Sequence, residues 1–218
     1  MRLFSVIVIN QVVQGGVNMS NDYFEHKAGS YEQNKSRVDN VENIANSIHR
    51  AVKFDKAMHL MDFGSGTGLL LERVAARVGK ITAVDISKSM NSQLNEKRNR
   101  LGCEIEILEV DLEKLAIEQT FDGIISSMTM HHVEDVKSMF GKFHSMLNDG
   151  GFVAIADLDT EDGSFHTEDT GVFHFGFDRD AIAKAALEAG FRNVDIVSAS
   201  VVHKPQGDYP VFLLTGFR

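Results

Sequence analysis

The chain has 218 residues, a formal charge of −9 and 43% hydrophobic residues. That length predicts one domain with a full hydrophobic core, and the acidic charge argues against nucleic acid as a partner, because a polyanion is bound by a basic face. Cys103 is the only cysteine, so no internal disulfide can form. With nothing to suggest secretion, we expect an intracellular, cytoplasmic protein.

The first segment, residues 1–18, carries an apolar run of about ten residues, whereas a membrane-spanning helix needs about twenty. We therefore predict no membrane span, and the absence of a small-residue cleavage pattern argues against a signal peptide. Met19 opens a more polar stretch that could be the true start. Residues 1–18 are then either an N-terminal extension or an upstream start-site artefact, and the fold prediction leaves them out.

Residues 19–56 are predicted to form a helical cap. Its apolar positions recur at intervals of three and four, which is typical of an amphipathic helix; they are Val38, Val41, Ile44, Ala45, Ile48 and Val52. Ser36 and Asp39 resemble a capping pair, so we expect the helix to begin at Ser36.

In the remaining core, residues 57–218, short apolar runs alternate with helical patterns or loops. Strands are predicted at 59–63, 81–85, 104–110, 121–126 and 152–157, and helices at 67–78, 87–101 and 136–147. Ser87 and Asp135 are the expected caps of the last two helices. A helix at 178–190 and two strands at 193–204 and 209–218, joined by a short turn, follow. We predict an α/β, doubly wound, mostly parallel seven-stranded sheet with helices on both faces and a C-terminal antiparallel hairpin.

A glycine-rich turn, Gly64–Gly68, follows the first predicted strand. Such a turn brings backbone amides against a ligand, and the next helix offers its positive end. A dinucleotide fingerprint would place glycine at position 69, where Leu69 stands, and a phosphate-binding loop would contain a lysine that residues 62–71 lack. Asp62, just before the turn, would repel a pyrophosphate, so a ligand with positive charge fits better.

Two more acids follow strands. Asp85 ends the second predicted strand, where a carboxylate can accept hydrogen bonds from both hydroxyls of a ribose. Asp111 follows the third strand and could accept from the exocyclic amine of an adenine. Together with Asp62 these acids match a nucleoside with an amino-acid tail, although each could instead merely cap the next helix.

These motifs make the chain resemble the class I, Rossmann-like S-adenosylmethionine-dependent methyltransferases from about Tyr23 to the C-terminus. The matching segments, in chain order, are MDFGSGTG at 61–68, AVDIS at 83–87, VDLEKL at 110–115, FDGIISSMTMHHVED at 121–135, LNDGGFVAIAD at 147–157 and EAGF at 188–191. The resemblance implies S-adenosylmethionine as the cofactor. The SMTMHHVED segment is similar to the small-molecule branch that includes quinone-biosynthesis methyltransferases.

The resemblance also implies which residues hold the cofactor. Asp62 and the glycine turn would bind the methionine part, Asp85 and Ile86 the ribose, and Tyr31 would close over the cofactor from the N-terminal side. The residues assigned in this way are Tyr31, Asp62, Phe63, Gly64, Ser65, Gly66, Thr67, Gly68, Asp85, Ile86, Met90, Asp111, Leu112, Ser126 and Ser127.

Methyl transfer from a sulfonium is an in-line displacement in which the cofactor carries the leaving group, so the protein mainly aligns the acceptor and excludes water. A general base is needed only if the acceptor must lose a proton. His131 and His132 follow the fourth strand and are the candidate catalytic residues, although one of them could simply pack in the fold.

The predicted function is methyl transfer to a small-molecule acceptor. The alternative is a catalytically silent methyltransferase-like module that binds or regulates a partner. A nicotinamide-dependent oxidoreductase is disfavoured by Leu69 and Asp62. The sequence does not predict the acceptor, the methylated atom or the oligomeric state.

Residues 157–178 are predicted to form an acidic lid loop, with seven acids and no Lys or Arg. Because it follows the fifth strand, we expect it to overhang the acceptor pocket. The residues predicted to line that pocket are Phe165, His166, Phe173, His174 and Phe175. The acids could attract a cationic amine or, with the histidines, bind a divalent cation, but such a run is typical of a solvated loop, so we predict no metal.

Overall fold

The computed structural model describes residues 22–168 and 170–218, so the predicted extension 1–18 lies outside the described residues. The strands are β1 (His59–Phe63), β2 (Lys80–Val84), β3 (Glu104–Leu108), β4 (Phe121–Ser127), β5 (Leu147–Leu158), β6 (Arg192–Lys204) and β7 (Gly207–Phe217). The α-helices are α1 (Lys35–Ala51), α2 (Leu69–Ala75), α3 (Lys88–Lys97), α4 (Val136–Met146) and α5 (Arg179–Glu188). Short 3₁₀ helices span Ala28–Gln33, Arg98–Arg100 and Met130–His132.

All seven strands join one sheet in the order β3-β2-β1-β4-β5-β7-β6. The first five strands pair in parallel, and β7 runs antiparallel to both β5 and β6. This confirms the predicted α/β fold with its C-terminal hairpin. The strand order reverses between β1 and β4, which is where ligands bind in open sheets of this kind.

Helices cover both faces of the sheet, as predicted. In β5, Phe152 and Ala154 face the side that packs against α1 and α2, whereas Val153 and Ile155 face the side that packs against α4 and α5. Successive side chains of a strand point to opposite faces, so a central strand buried on both sides has to be apolar throughout. Among the described residues, no helix is both long and apolar enough to span a membrane.

Helix caps agree with the sequence at two of three starts. The side chains of Ser87 and Asp135 accept hydrogen bonds from backbone amides in the first turns of α3 and α4, as predicted. The prediction for α1 is wrong. Asn34 is its cap, and its side-chain oxygen accepts a hydrogen bond from the amide of Arg37 at 3.1 Å. Asparagine is as effective as serine at a helix N-terminus, because either side chain can accept from a free amide of the first turn.

The acidic segment 157–178 is not the free, solvated loop that the sequence suggests. Asp157 belongs to β5 and is fully buried. Asp159 pairs with the guanidinium of Arg179 at 2.7 Å, and Asp178 caps α5. Asp157, Asp159 and Asp178 are therefore held by the fold and are not free in solvent.

Candidate functional site

A cavity of about 450 Å³ lies at the carboxyl ends of β1 and β4, at the reversal in strand order. The glycine turn after β1 forms one part of its wall, and the residues after β4, including His131 and His132, form another. The N-terminal part of α1, the end of β6 and residues 165–168 complete the lining. The cavity therefore adjoins both the predicted cofactor turn and the predicted catalytic histidines.

Buried polar atoms without a protein hydrogen-bond partner concentrate on this cavity. They belong to Asn40, Asp62, Ser65, Thr67, Ser127 and Thr170. Buried polar groups in folded proteins almost always have a partner, so a cluster of unpartnered ones around a single cavity indicates a polar ligand. The set combines a carboxylate with hydroxyl and amide groups, which fits the ammonium and carboxylate of a methionine tail.

Asp62 is the dominant charge in this group. Its side chain is 0% exposed, and neither carboxylate oxygen has a partner. Burial, and to a smaller extent the nearby Asp85, raises the pKa of Asp62 well above its ordinary value. A ligand ammonium would provide both the hydrogen bonds and the positive charge that the site lacks.

The glycine turn is built for close approach of a ligand. Gly66 has φ +54°, and a Cβ on this residue would point into space with no atom within 4 Å. Gly64, at φ +68°, is held for a different reason, because a Cβ there would lie 2.2 Å from the Thr129 side chain. Its amide donates to the carbonyl of Val84 at 2.8 Å and fixes the turn against β2.

The predicted ribose and adenine residues do not line this cavity. Asp85 is engaged with the backbone: its two oxygens accept from the amides of Gly66 and Ser87, both at 2.8 Å, and burial raises its pKa. Asp111 accepts from the amide of Glu113 and pairs with Lys114 at 2.7 Å. Asp111 thus has the turn-capping role that its position also allowed, whereas Asp85 keeps lone pairs for a further donor.

Four other predicted cofactor residues do not line this cavity, and their contact with the cofactor stays a prediction. Phe63, Met90, Leu112 and Ser126 are buried away from the cavity, and the Ser126 hydroxyl donates to the carbonyl of Phe63 at 2.7 Å. Ile86 behaves differently, since its side chain is 57% exposed next to Asp85. An exposed aliphatic side chain at that position offers an apolar surface to a flat ring.

The N-terminal segment forms another part of the cavity wall. The Asp22 carboxylate accepts from the Ser87 hydroxyl at 2.8 Å and from the amide and hydroxyl of Ser89 at 3.1 and 2.8 Å. Tyr31 lines the cavity, and burial raises the pKa of its phenol. The Arg37 guanidinium stacks over the Tyr31 ring at 3.8 Å. The segment is thereby tied to the start of α3 at one end and to α1 at the other.

His131 and His132 both lie on the cavity, in the 3₁₀ helix after β4. His131 is buried, and its Nδ1 lies 2.7 Å from Asp157 Oδ1. Burial acts to raise the pKa of Asp157, but the charge and hydrogen bonds of His131 hold it below its ordinary value. His132 has a different environment: burial and the neighbouring His131 lower its pKa to about 4.

Of the five predicted pocket residues, Phe165 and His166 line this cavity, whereas Phe173, His174 and Phe175 do not, and their contact with an acceptor stays a prediction. Phe173 and Phe175 are 56% and 55% exposed. The amides of Phe173 and His174 donate to the carbonyl of His131, and His174 Nε2 donates to the carbonyl of Val133. These bonds hold the segment beside the histidine turn with its side chains directed elsewhere.

Other residues on the cavity were not predicted from the sequence. Asn40 had a readable signal, because it stands four residues before Ile44 on the face that the helical period buries. Met128 follows β4 with φ +58°, a strained conformation for a non-glycine residue, and such strain cannot be read from one sequence. Lys204 reaches the cavity only through tertiary folding.

Comparisons with known proteins find methyltransferases. A family described as "Methyltransferase domain" matches residues 60–151. An uncharacterised methyltransferase of Schizosaccharomyces pombe is 25% identical over 94% of this chain and 77% of its own length. A malonyl-[acyl-carrier protein] O-methyltransferase of Geobacter sulfurreducens is 30% identical over 71% of this chain and 62% of its own. The solved DhpI–SAH complex has a TM-score of 0.68 at 19% identity, over 90% of this chain and 93% of that one.

The sheet order and the match of residues 60–151 to a methyltransferase domain support a class I, Rossmann-like S-adenosylmethionine-dependent methyltransferase, as the sequence motifs predict. The same findings support an enzyme that transfers a methyl group and uses S-adenosylmethionine as its cofactor. The chain spans less than two thirds of the length of several curated relatives that it matches. The similarity to quinone-biosynthesis enzymes stays a prediction.

Proposed function

We propose that the enzyme methylates a small-molecule acceptor that binds in the 450 Å³ cavity beside His131. The observation that carries this proposal is the single cavity that adjoins both the unpartnered groups around Asp62 and the buried histidines. The N-terminal segment and residues 165–168 also line it, and the space left beside the methionine part of a cofactor suits a small acceptor.

In this proposal the protein binds, orients and excludes water. Asp62 would hold the cofactor ammonium, and the open side of Gly66 would let the methionine part approach the backbone. S-adenosylmethionine supplies an activated methyl group on a sulfonium that is its own leaving group. The N-terminal segment, tied down by Asp22, would keep water away from the reacting atoms.

The two predicted catalytic histidines receive different roles. His131 donates its Nδ1 proton to Asp157, which leaves Nε2 free to take a proton from an acceptor hydroxyl, thiol or amine. His132, with a pKa of about 4, is a weak base at neutral pH and is better suited to packing against Phe24 and shaping the pocket. We therefore assign the general base to His131 when the acceptor must lose a proton.

The charges around the cavity support a neutral or anionic acceptor rather than a cationic amine. Lys27, Arg37 and Lys204 all line it, and the acidic side chain in residues 165–168, Glu168, is paired with Lys27 at 2.5 Å. Burial lowers the pKa of Lys204, and the charge of Arg37 adds to that effect. An acceptor with negative charge would relieve this accumulation of cations.

The test uses cofactor that carries a labelled methyl group. The enzyme is incubated with the small-molecule and the macromolecular fractions of the same cell extract, and mass spectrometry detects products that gain one methyl. Label in the small-molecule fraction supports the proposal; label only in protein or nucleic acid contradicts it.

A pair of variants then tests the base. His131→Gln should lower turnover by about 10²- to 10⁴-fold while the affinity for S-adenosylmethionine stays unchanged, as expected for loss of general-base catalysis. The matched control is His26→Gln, which changes an exposed histidine outside the cavity. Equal activity of the two variants would remove His131 from the mechanism.

A further inference from the structure

Three histidine rings meet on the wall of the cavity. His131, His132 and His166 each offer one ring nitrogen, and the three nitrogens lie within 4.8 Å of one another. The His131 ring lies 4.3 Å from that of His132 and 5.1 Å from that of His166, measured between centroids. The first two rings follow β4, whereas His166 comes from the segment after β5, so only the folded chain brings them together.

Partners behind the rings fix which nitrogen is available. His131 Nδ1 bonds to Asp157 at 2.7 Å, and His132 Nδ1 bonds to the carbonyl of Gly171 at 3.2 Å. Both bonds place the ring proton on Nδ1 and leave Nε2 as the free lone pair. Metal-binding histidines show this arrangement, in which a carboxylate or a backbone carbonyl orients the ring from behind.

We propose that His131, His132 and His166 bind one divalent transition-metal ion, with an open coordination position that faces the cavity. Three neutral imidazoles are the donors that Zn²⁺ and similar ions prefer, whereas Mg²⁺ and Ca²⁺ require oxygen ligands. Three protein ligands and an open fourth position characterise catalytic rather than structural zinc sites. The buried carboxylate of Asp157, behind His131, balances part of the charge of the ion.

The geometry requires a modest closure. Nitrogens that share a tetrahedral Zn²⁺ at about 2.0–2.1 Å lie roughly 3.4 Å apart, so the present separations of up to 4.8 Å must shorten. His166 can supply this movement, because no hydrogen bond to the described residues fixes its ring. His131 and His132 are already held from behind and would stay in place.

The open position would also define the acceptor, and this part rests on the proposed function. An acceptor hydroxyl or thiol bound to the metal ion releases its proton to solvent, because the ion lowers its pKa. The resulting oxygen or sulfur anion attacks the methyl carbon, the carbon–sulfonium bond breaks, and its electron pair leaves with S-adenosylhomocysteine. The metal ion keeps its oxidation state. With the ion bound, His131 is a ligand and the ion replaces it as the group that promotes loss of the acceptor proton, which is the one point where this inference departs from the proposed function.

The metal site is tested without any acceptor. The full chain is stripped with a chelator and titrated with Zn²⁺ in a calorimeter, and with Co²⁺ while the visible absorption of the ion is recorded. We expect one equivalent of either ion, with the intense visible bands of tetrahedral Co²⁺, and no competition from excess Mg²⁺.

Variants make the test specific. His166→Ala should weaken Zn²⁺ binding by about 100-fold or more, Asp157→Asn by roughly 10- to 100-fold, and the exposed control His26→Ala should leave it unchanged. If the stripped protein binds less than one equivalent of Zn²⁺, or if His166→Ala binds Zn²⁺ as tightly as the natural protein does, the proposed site is wrong.

Activity separates this inference from the proposed function. With an identified acceptor, the chelated enzyme should still bind S-adenosylmethionine but lose turnover, and one equivalent of Zn²⁺ should restore it. Full turnover by the chelated enzyme would refute coordination of the acceptor while leaving small-molecule methylation intact. Absence of any small-molecule product would instead refute the proposed function, without bearing on the metal titration.

Discussion

Replacing Asp62 with asparagine tests whether this carboxylate binds the cofactor ammonium. The side chain is 0% exposed, lines the cavity and has no partner for either oxygen. Asparagine has nearly the same volume and keeps one oxygen acceptor, but it removes the negative charge and places an amide donor where the ammonium would lie. The substitution therefore changes charge and hydrogen bonding with little effect on packing.

The expected loss of affinity follows from the missing charge. A hydrogen bond to a charged group contributes about 1.5–3 kcal/mol, so Asp62→Asn should raise the Kd for S-adenosylmethionine roughly 10- to 150-fold. S-adenosylhomocysteine carries the same ammonium, so its affinity should fall by a similar factor. NAD has no amino-acid tail and should show no comparable effect.

The cofactor-free protein should respond in the opposite direction. Burial raises the pKa of Asp62 above its unfolded value of 3.8, so the folded state holds this proton more tightly than the unfolded chain. Its contribution to stability is complete below about pH 4 and is lost as the pH rises towards the folded pKa. Asparagine does not titrate, so without cofactor the variant should be more stable than the natural protein at about pH 8.

Calorimetry with the cofactor and chemical denaturation at about pH 5 and pH 8 measure these two effects. Asp149→Asn is the matched control, because Asp149 is fully exposed. Unchanged cofactor affinity in Asp62→Asn, or a variant less stable than the natural protein at the higher pH, would refute the reasoning.

Three further changes test other parts of the site. Gly66→Ala directs a methyl group into the cavity and should weaken cofactor binding about tenfold or more, as measured by calorimetry. The control Gly150→Ala has similar backbone strain, at φ +79°, and open surroundings, and it should not weaken binding. Equal cofactor affinities of the two variants would contradict the placement of the turn. Phe165→Ala should lower acceptor turnover in steady-state kinetics, and the exposed Phe173→Ala should leave it unchanged; the reverse pattern would restore the predicted pocket. Asp22→Ala removes the bonds to the start of α3 and should speed amide hydrogen exchange in residues 22–33, and unchanged exchange would show that other contacts hold the segment.

Local patterns were enough to predict the sheet. β1 spans the predicted residues 59–63, and β2 and β4 lie within one residue of their predictions. Strands and helices are recognised from the spacing of apolar residues, and that spacing is a property of neighbouring positions. The start of α1 was misplaced because Asn34, Ser36 and Asp39 are all acceptable caps, and only the folded backbone selects one of them.

The glycine turn and Asp62 could be assigned to the cofactor because their chemistry lies within eight consecutive residues. Asp157 shows the limit of this approach. Its sequence context suggested an acid at the start of a solvated loop, yet it is buried against His131, 26 positions away in the chain. A buried acid and an exposed acid look alike in a sequence when their partners are remote.

The sequence by itself determined the fold class and predicted the cofactor and a methionine site at the glycine turn, because each depends on residues that are close together in the chain. Only the tertiary structure decided which histidines share the cavity and which aromatic side chains leave it. Both depend on how the segment after β5 packs against the turn after β4. The amides of Phe173 and His174 donate hydrogen bonds to the carbonyl of His131 and hold these two residues outside the cavity lining. The same packing brings His166 to the cavity wall beside the other two histidines.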